Sequence, residues 1–175
     1  LCHLWMEHDS NLIDKLIAAT IEFSTWHRRE SAIRVLEYLG DSRAVEPLIS
    51  LLRETNFPKQ VRSSAAYALA ELGDSRAITP LIESFKEPAF GNGFHLNMQS
   101  LGEEAFFALL GALRSEDALV RERAAGSLGW FNDKRAVDFL IDALQDNDQK
   151  VRQAAICSLG MLGDKRAIEP ILSVL

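Results

Sequence analysis

The sequence has only two cysteines, Cys2 and Cys157, and almost the whole chain lies between them. A disulfide framework needs several cysteines in pairs, so a small stapled secreted fold is excluded and a reducing, cytoplasmic compartment is expected. Long hydrophobic runs are also missing: charged or polar residues interrupt every apolar stretch before the roughly 18 to 20 residues that cross a bilayer. No membrane partner is expected. Basic residues are in the minority, with 19 Lys and Arg against 25 Asp and Glu and a formal charge of −6. A nucleic-acid binder concentrates Lys and Arg on one face, so neither DNA nor RNA is expected as partner. Because the sequence starts at Leu1 rather than Met, it bears little on targeting.

Catalytic signatures are scarce in the same way. There is no phosphate-binding glycine loop and no Gly-x-Ser-x-Gly elbow. Gly91-Asn92-Gly93 has no following lysine and reads as a turn. The four histidines, His3, His8, His27 and His95, are scattered rather than set four apart on one helix. Cys2, His3 and His8 form a weak metal set and read as surface residues. No cofactor or metal is expected.

What is present is a core-forming composition, 47% apolar, and a repeat. Gly40-Asp41-Ser42-Arg43-Ala44-Val45-Glu46-Pro47-Leu48-Ile49 returns as Gly73 through Ile82 and as Gly163 through Leu172. A varied copy runs from Asn132 to Ile141, and Glu103 through Leu110 is taken as a degenerate one anchored on Ala105. The anchoring alanines are then Ala44, Ala77, Ala105, Ala136 and Ala167, with a period near 31 residues. Val45, Leu48, Ile49 and Leu52 follow the i, i+3, i+4, i+7 rule of an amphipathic helix, here helix B. Pro47, Pro80 and Pro170 place its start near the Arg-Ala pair, because proline is tolerated only in the first turn. Upstream, Val61, Ala65, Leu69 and Leu72 form the stripe of a helix A, matched from Val120 to Leu128 and from Val151 to Leu159. Glycine suits the end of helix A, where a left-handed residue often closes a helix.

Each unit is helix, tight turn, helix, and neither stripe is covered without a neighbour, so stacking is obligatory. The spacing predicts one domain, 1–175, with a half repeat at 9–25 and repeats at about 26–56, 57–87, 88–115, 116–146 and 147–175. The Gly-Asp-x-Arg-Ala turn, the paired alanines and the period resemble the HEAT-like repeats of phycobilisome lyases over roughly residues 12 to 175. The resemblance implies an all-α, right-handed α-α superhelix, a HEAT-like solenoid of about five helical hairpins, with B helices on the concave side and A helices on the convex side. A related protein type, deoxyhypusine hydroxylase, carries His-Glu pairs on its A helices for a di-iron centre. The matching positions here are Glu30-Ser31, Ser63-Ser64, Glu122-Arg123 and Gln153-Ala154, so that activity is rejected. A HEAT-like DNA glycosylase would need a basic concave face and is disfavoured.

The ends and the middle depart from the pattern. Leu12 to Ile17 reads as a B helix capped by Asp9 and Ser10, and Leu1 to His8 as a degenerate A helix or a vector remnant. At Leu175 the last apolar stripe ends without a polar capping helix, so further chain or a second subunit is expected to cover it, and self-association is possible there. In the third repeat, Glu87 to Gly93 displaces the helix A start, and Phe94, Met98 and Leu101 are expected to form the stripe of a short helix A.

The Asp-x-Arg pairs Asp41/Arg43, Asp74/Arg76, Asp133/Arg135 and Asp164/Arg166 recur in every well-formed copy, which marks them as structural. Function is sought in the outward positions that vary along helix B: Glu46, Thr79, Phe107, Asp138 and Glu169, then Ser50, Glu83, Gly111, Asp142 and Ser173. They make a face with Glu46, Glu83, Asp138, Asp142 and Glu169 around Phe107, Gly111 and Phe139. An aromatic patch with a charged rim suits a binding hot spot. Alternatively, Phe107 and Phe139 pack on each other and the acids keep the surface soluble. The reading is a non-catalytic scaffold for a basic or amphipathic protein segment; the alternative, from the resemblance, is a phycobilin lyase subunit or another chromophore-handling protein.

Overall fold

A computed structural model describes residues 10–22, 25–91 and 95–174. The expectations on Leu1–His8, Asp9, Cys2, Asn92, Gly93 and Phe94 therefore lie outside the described residues. Ten α-helices carry the rest, with no strand among the described residues. The fold is all-α and superhelical. A first helix, α1 (Ser10–Glu22), precedes four hairpin-forming pairs and one incomplete unit. The pairs are α2 (Trp26–Leu39) with α3 (Val45–Arg53), α4 (Lys59–Leu72) with α5 (Ile78–Ser84), α7 (Ala118–Leu128) with α8 (Val137–Ala143), and α9 (Gln149–Leu162) with α10 (Ile168–Leu172). Between them stands α6 (Gly102–Ala112), a B helix without an A partner.

The recurring decapeptide is a single device for reversing the chain. Each A helix, or the short 3₁₀ turn that extends α7, gives way to a left-handed residue: Gly40, Gly73 and Gly163, or Asn132 where the sequence has no glycine. Asparagine is one of the few side chains that tolerate this region. The next residue is the aspartate, whose carboxylate accepts a hydrogen bond from the backbone N–H two residues on, at 2.9 Å for Asp41 and 3.0 Å for Asp74. One 3₁₀ turn follows and ends on the anchoring alanine, buried in all four copies. A larger side chain has no room there. The prolines then take the third position of the B helix, where a backbone N–H would have no acceptor within the helix.

The predicted stripes are the core. Val45, Leu48, Val61, Ala65, Leu69, Leu81, Leu109 and Leu140 are fully buried, and each leucine among them contributes roughly 1.5–3 kcal/mol. The paired alanines, Ala65-Ala66 and Ala124-Ala125, are also sealed off and leave α2 free to pack on α4 and α7 on α9 at close range.

The third repeat corrects the sequence expectation: among its described residues before α6 no helix A forms. Residues 95–98 have no regular secondary structure, and Gln99–Leu101 make one 3₁₀ turn. Met98 and Leu101 are buried as expected, together with Leu96, but from an irregular backbone. Local hydrogen bonds explain why. Asn97 accepts from the backbone N–H of Gln99, an interaction that competes with helix formation. Leu96 donates its N–H to Ser127 Oγ on α7 at 3.0 Å. The opposite flank of the segment lies against α4, where Ser100 O stands so near Gly73 that a Cβ there would sit 2.8 Å away. The segment thus occupies the slot that an A helix fills elsewhere. The register of α6 also shifts: Glu103, not Phe107, is the second helical residue and the counterpart of Glu46 and Asp138. Anchoring the degenerate copy on Ala105 placed it four residues too late, because Ala105 lies on the buried stripe where α3 has Leu48, and Leu101 is the counterpart of Ala44.

Candidate functional site

The B-helix face was the first candidate. Glu46, Glu83, Phe107, Asp138, Phe139, Asp142 and Glu169 are all exposed. Phe107 is 55% exposed and Phe139 36%, so neither ring is used up in core packing. Phe107 meets Phe106 edge-on, with centroids 5.7 Å apart, and lies under the Arg135 guanidinium. Three of the five carboxylates have cationic partners from neighbouring repeats. Glu46 accepts from Arg76 at 3.1 Å, Asp138 from Arg166 at 2.8 Å and Glu83 from Arg53 at 3.0 Å. Arg135 makes the same reach to Glu103 at 2.7 Å. The turn arginine therefore closes its own turn through the aspartate and clips back to the acid that opens the preceding B helix. That aspartate hydrogen bond holds the Asp41, Asp74, Asp133 and Asp164 carboxyls below the usual carboxylate range.

A second set of arginines, at the start of the A helices, ties the other ends of the B helices. Arg62 donates to Leu52 O and to Glu87, and Arg121 donates to Ser115 O, Glu116 O and both oxygens of Asp146. Arg152 donates to Asp146 O and Asn147 O. These carbonyls lie in the last turn of α3 and just after α6 and α8, where intrahelical donors run out.

The A-helix side carries grooves of its own. Between α2 and α4 runs a groove of about 930 Å³, lined on one side by Trp26, Glu30, Arg34, Glu37 and Tyr38 and on the other by Gln60, Ser63, Ser64, Tyr67 and Glu71. Its aromatic side chains are exposed, Tyr38 to 85%. Its single guanidinium, Arg34, is bonded to Glu30 at 3.0 Å. Burial, then the neighbouring Glu71 carboxylate, push the Glu37 carboxyl above its ordinary range, against the opposing pull of Arg34. A smaller groove, about 440 Å³, lies between α7 and α9 and is lined by His95, Glu122, Trp130, Cys157 and Met161 among others. Burial pushes the His95 imidazole down, and its Nε2 has no hydrogen-bond partner among the described residues.

The family of HEAT repeats matches residues 13–91 and 107–175, leaving out the irregular segment and little else. The chain belongs to the HEAT-repeat family. Among solved structures it is similar to the complex of CpcE and CpcF of phycocyanin lyase from Nostoc sp. PCC7120, at 26% identity and a TM-score of 0.51, over 96% of this chain and 71% of that one. Two engineered proteins also match at 20% identity. One has a TM-score of 0.36 over 93% of this chain and 67% of its own, the other 0.40 over 94% and 51%. No curated protein matches.

Within this HEAT array, the residue that sequence reasoning passed over is Arg123. It is fully buried, and its guanidinium donates to the carbonyls of Ser84, Phe85, Glu87 and Gly91. The signal was available: the other A helices put Ser64 and Ala154 at this point, next to the paired alanines. A large cation among small residues indicates an unusual neighbour, here the carbonyls at the end of α5 and in the loop after it. Of the positions tested for a di-iron set, Glu30, Ser63 and Ser64 line the larger HEAT groove, and Glu122, Gln153 and Ala154 the smaller one. Among the described residues no group of three or more His, Cys, Asp or Glu is placed to hold a metal ion.

Proposed function

We propose that this HEAT-repeat chain is a non-catalytic scaffold that holds a basic or amphipathic segment of a partner protein. The observation that carries this reading is the combination of outward aromatic side chains and carboxylates on a helical stack, with Phe107, Phe139, Asp138 and Asp142 all exposed on its B helices. Aromatic anchors supply contact area at low entropic cost, and the surrounding acids select a cationic partner. The likeness to a CpcE and CpcF complex supports a protein partner. The test compares partner capture by the wild-type chain and by an Asp138→Lys/Asp142→Lys variant with unchanged helical circular dichroism. Capture should fall about tenfold, equivalent to about 1.4 kcal/mol. Equal capture removes the B-helix face from the proposal.

The same likeness favours a second reading, a phycobilin lyase subunit or another chromophore-handling protein. The acidic B-helix row counts against it, because tetrapyrrole propionates call for Arg or Lys. Titration with a bilin decides: an unchanged visible spectrum removes this reading.

A further inference from the structure

The groove between α2 and α4 lies on the side of the stack that the B-helix reading does not use. Its walls come from two A helices that occupy the same place in successive repeats, so both run in the same direction and present their residues in register. Along α2 the aromatic ends of the channel, Trp26 and Tyr38, are twelve residues apart, which at the helical rise is about 18 Å. That is the length of three turns of a partner helix. Tyr67 stands on the facing wall. The charge of the channel is one-sided: Glu30, Glu37 and Glu71 against Arg34, which Glu30 already engages. Burial first, and then the Glu71 carboxylate, raise the Glu37 carboxyl against the pull of Arg34, whose ion pair is with Glu30. A cation brought by a ligand would relieve that repulsion.

We propose that this groove is a docking channel for an amphipathic helix of a partner protein, with Lys or Arg facing Glu37 and Glu71 and an apolar stripe laid on Trp26, Tyr67 and Tyr38. Charge complementarity selects the occupant: an acidic or neutral helix would leave the Glu37–Glu71 pair unrelieved. The inference rests on the scaffold reading above and assigns it a second, separate face.

The test uses the whole chain and a fluorescein-labelled helical peptide of about 14 residues, with Lys four apart and Leu on the adjoining stripe, followed by fluorescence anisotropy. The wild type should bind it, and an otherwise identical peptide with Glu in place of Lys should not bind. Glu37→Lys/Glu71→Lys should weaken binding at least about tenfold and Tyr67→Ala about threefold, while Asp142→Lys on the B-helix side leaves it unchanged. Tyr38→Ala, at the most exposed of the three rings, repeats the aromatic test where a folding defect is least expected. Absence of wild-type binding, or variants that bind like wild type, overturns the channel. Loss confined to Asp142→Lys also overturns it, and in that case the scaffold reading stands with docking on the B-helix face.

Discussion

Arg123 shows how much one side chain can organise. Its guanidinium gathers carbonyls from the end of α5 and the loop after it, from buried Phe85 O to Gly91 O, and shares Glu87 O with the Phe90 N–H. Arg123→Met should destabilise the chain by at least about 3 kcal/mol, read from urea denaturation, because a buried acceptor left unpaired costs about 1–3 kcal/mol. A loss under about 1 kcal/mol would mean that water takes over its bonds. The Arg121–Asp146 pair makes a prediction about acid. Hydrogen bonds from Arg121 hold the Asp146 carboxyl below its ordinary value, so the contribution is complete above the unfolded value of about 3.9 and is lost as pH falls through the lower folded value. Stability should decline below about pH 4, and Arg121→Met should flatten that decline.

At the scale of elements, the hairpins could be read from the sequence and the irregular repeat could not. Gly40, Asp41, Ala44 and Pro47 each meet a local requirement of one turn, so their recurrence revealed both helices and their stripes. Helix A of the third repeat was expected because Phe94, Met98 and Leu101 suit a stripe, and Met98 and Leu101 are indeed buried. Burial pattern alone does not tell a helix from an irregular segment threaded through the same space. The local bond of Asn97 to the Gln99 N–H turns the backbone away from a helix, and two bonds over a long sequence distance fix its path, Leu96 N–H to Ser127 in the segment and Arg123 to Gly91 O just before it. The acidic face was legible as exposure but not as pairing, since each arginine that engages Glu46 or Asp138 comes from the next repeat. Two glycines separate the contributions at the α4 flank. Gly40→Ala should cost about 1–2 kcal/mol from its left-handed backbone alone, since a Cβ there meets nothing within 4 Å. Gly73→Ala carries the same strain and also strikes Ser100 O, so its midpoint in thermal melting should fall clearly lower. Equal midpoints would show that the 95–101 segment yields freely.

For the whole molecule, the exposed Ile168 and Leu172 on α10 offer an apolar surface to another repeat. Association through it should appear as concentration-dependent sedimentation that Leu172→Glu abolishes; a monomer at all concentrations would remove that surface from consideration. The missing helix has a mechanical consequence. An A helix meets its own backbone hydrogen bonds along its length, whereas residues 95–101 are held by the Leu96 N–H bond to Ser127 on α7 and by short-range bonds at Gln99 and Leu101. Between the well-stacked pairs α2–α4 and α7–α9 the array is therefore expected to be softer, with faster amide hydrogen exchange at 95–101 than within α4 or α7. Under bending, curvature should concentrate there and leave the hairpins on either side in shape; equal exchange across the array would show that the segment is as stiff as the helix it replaces.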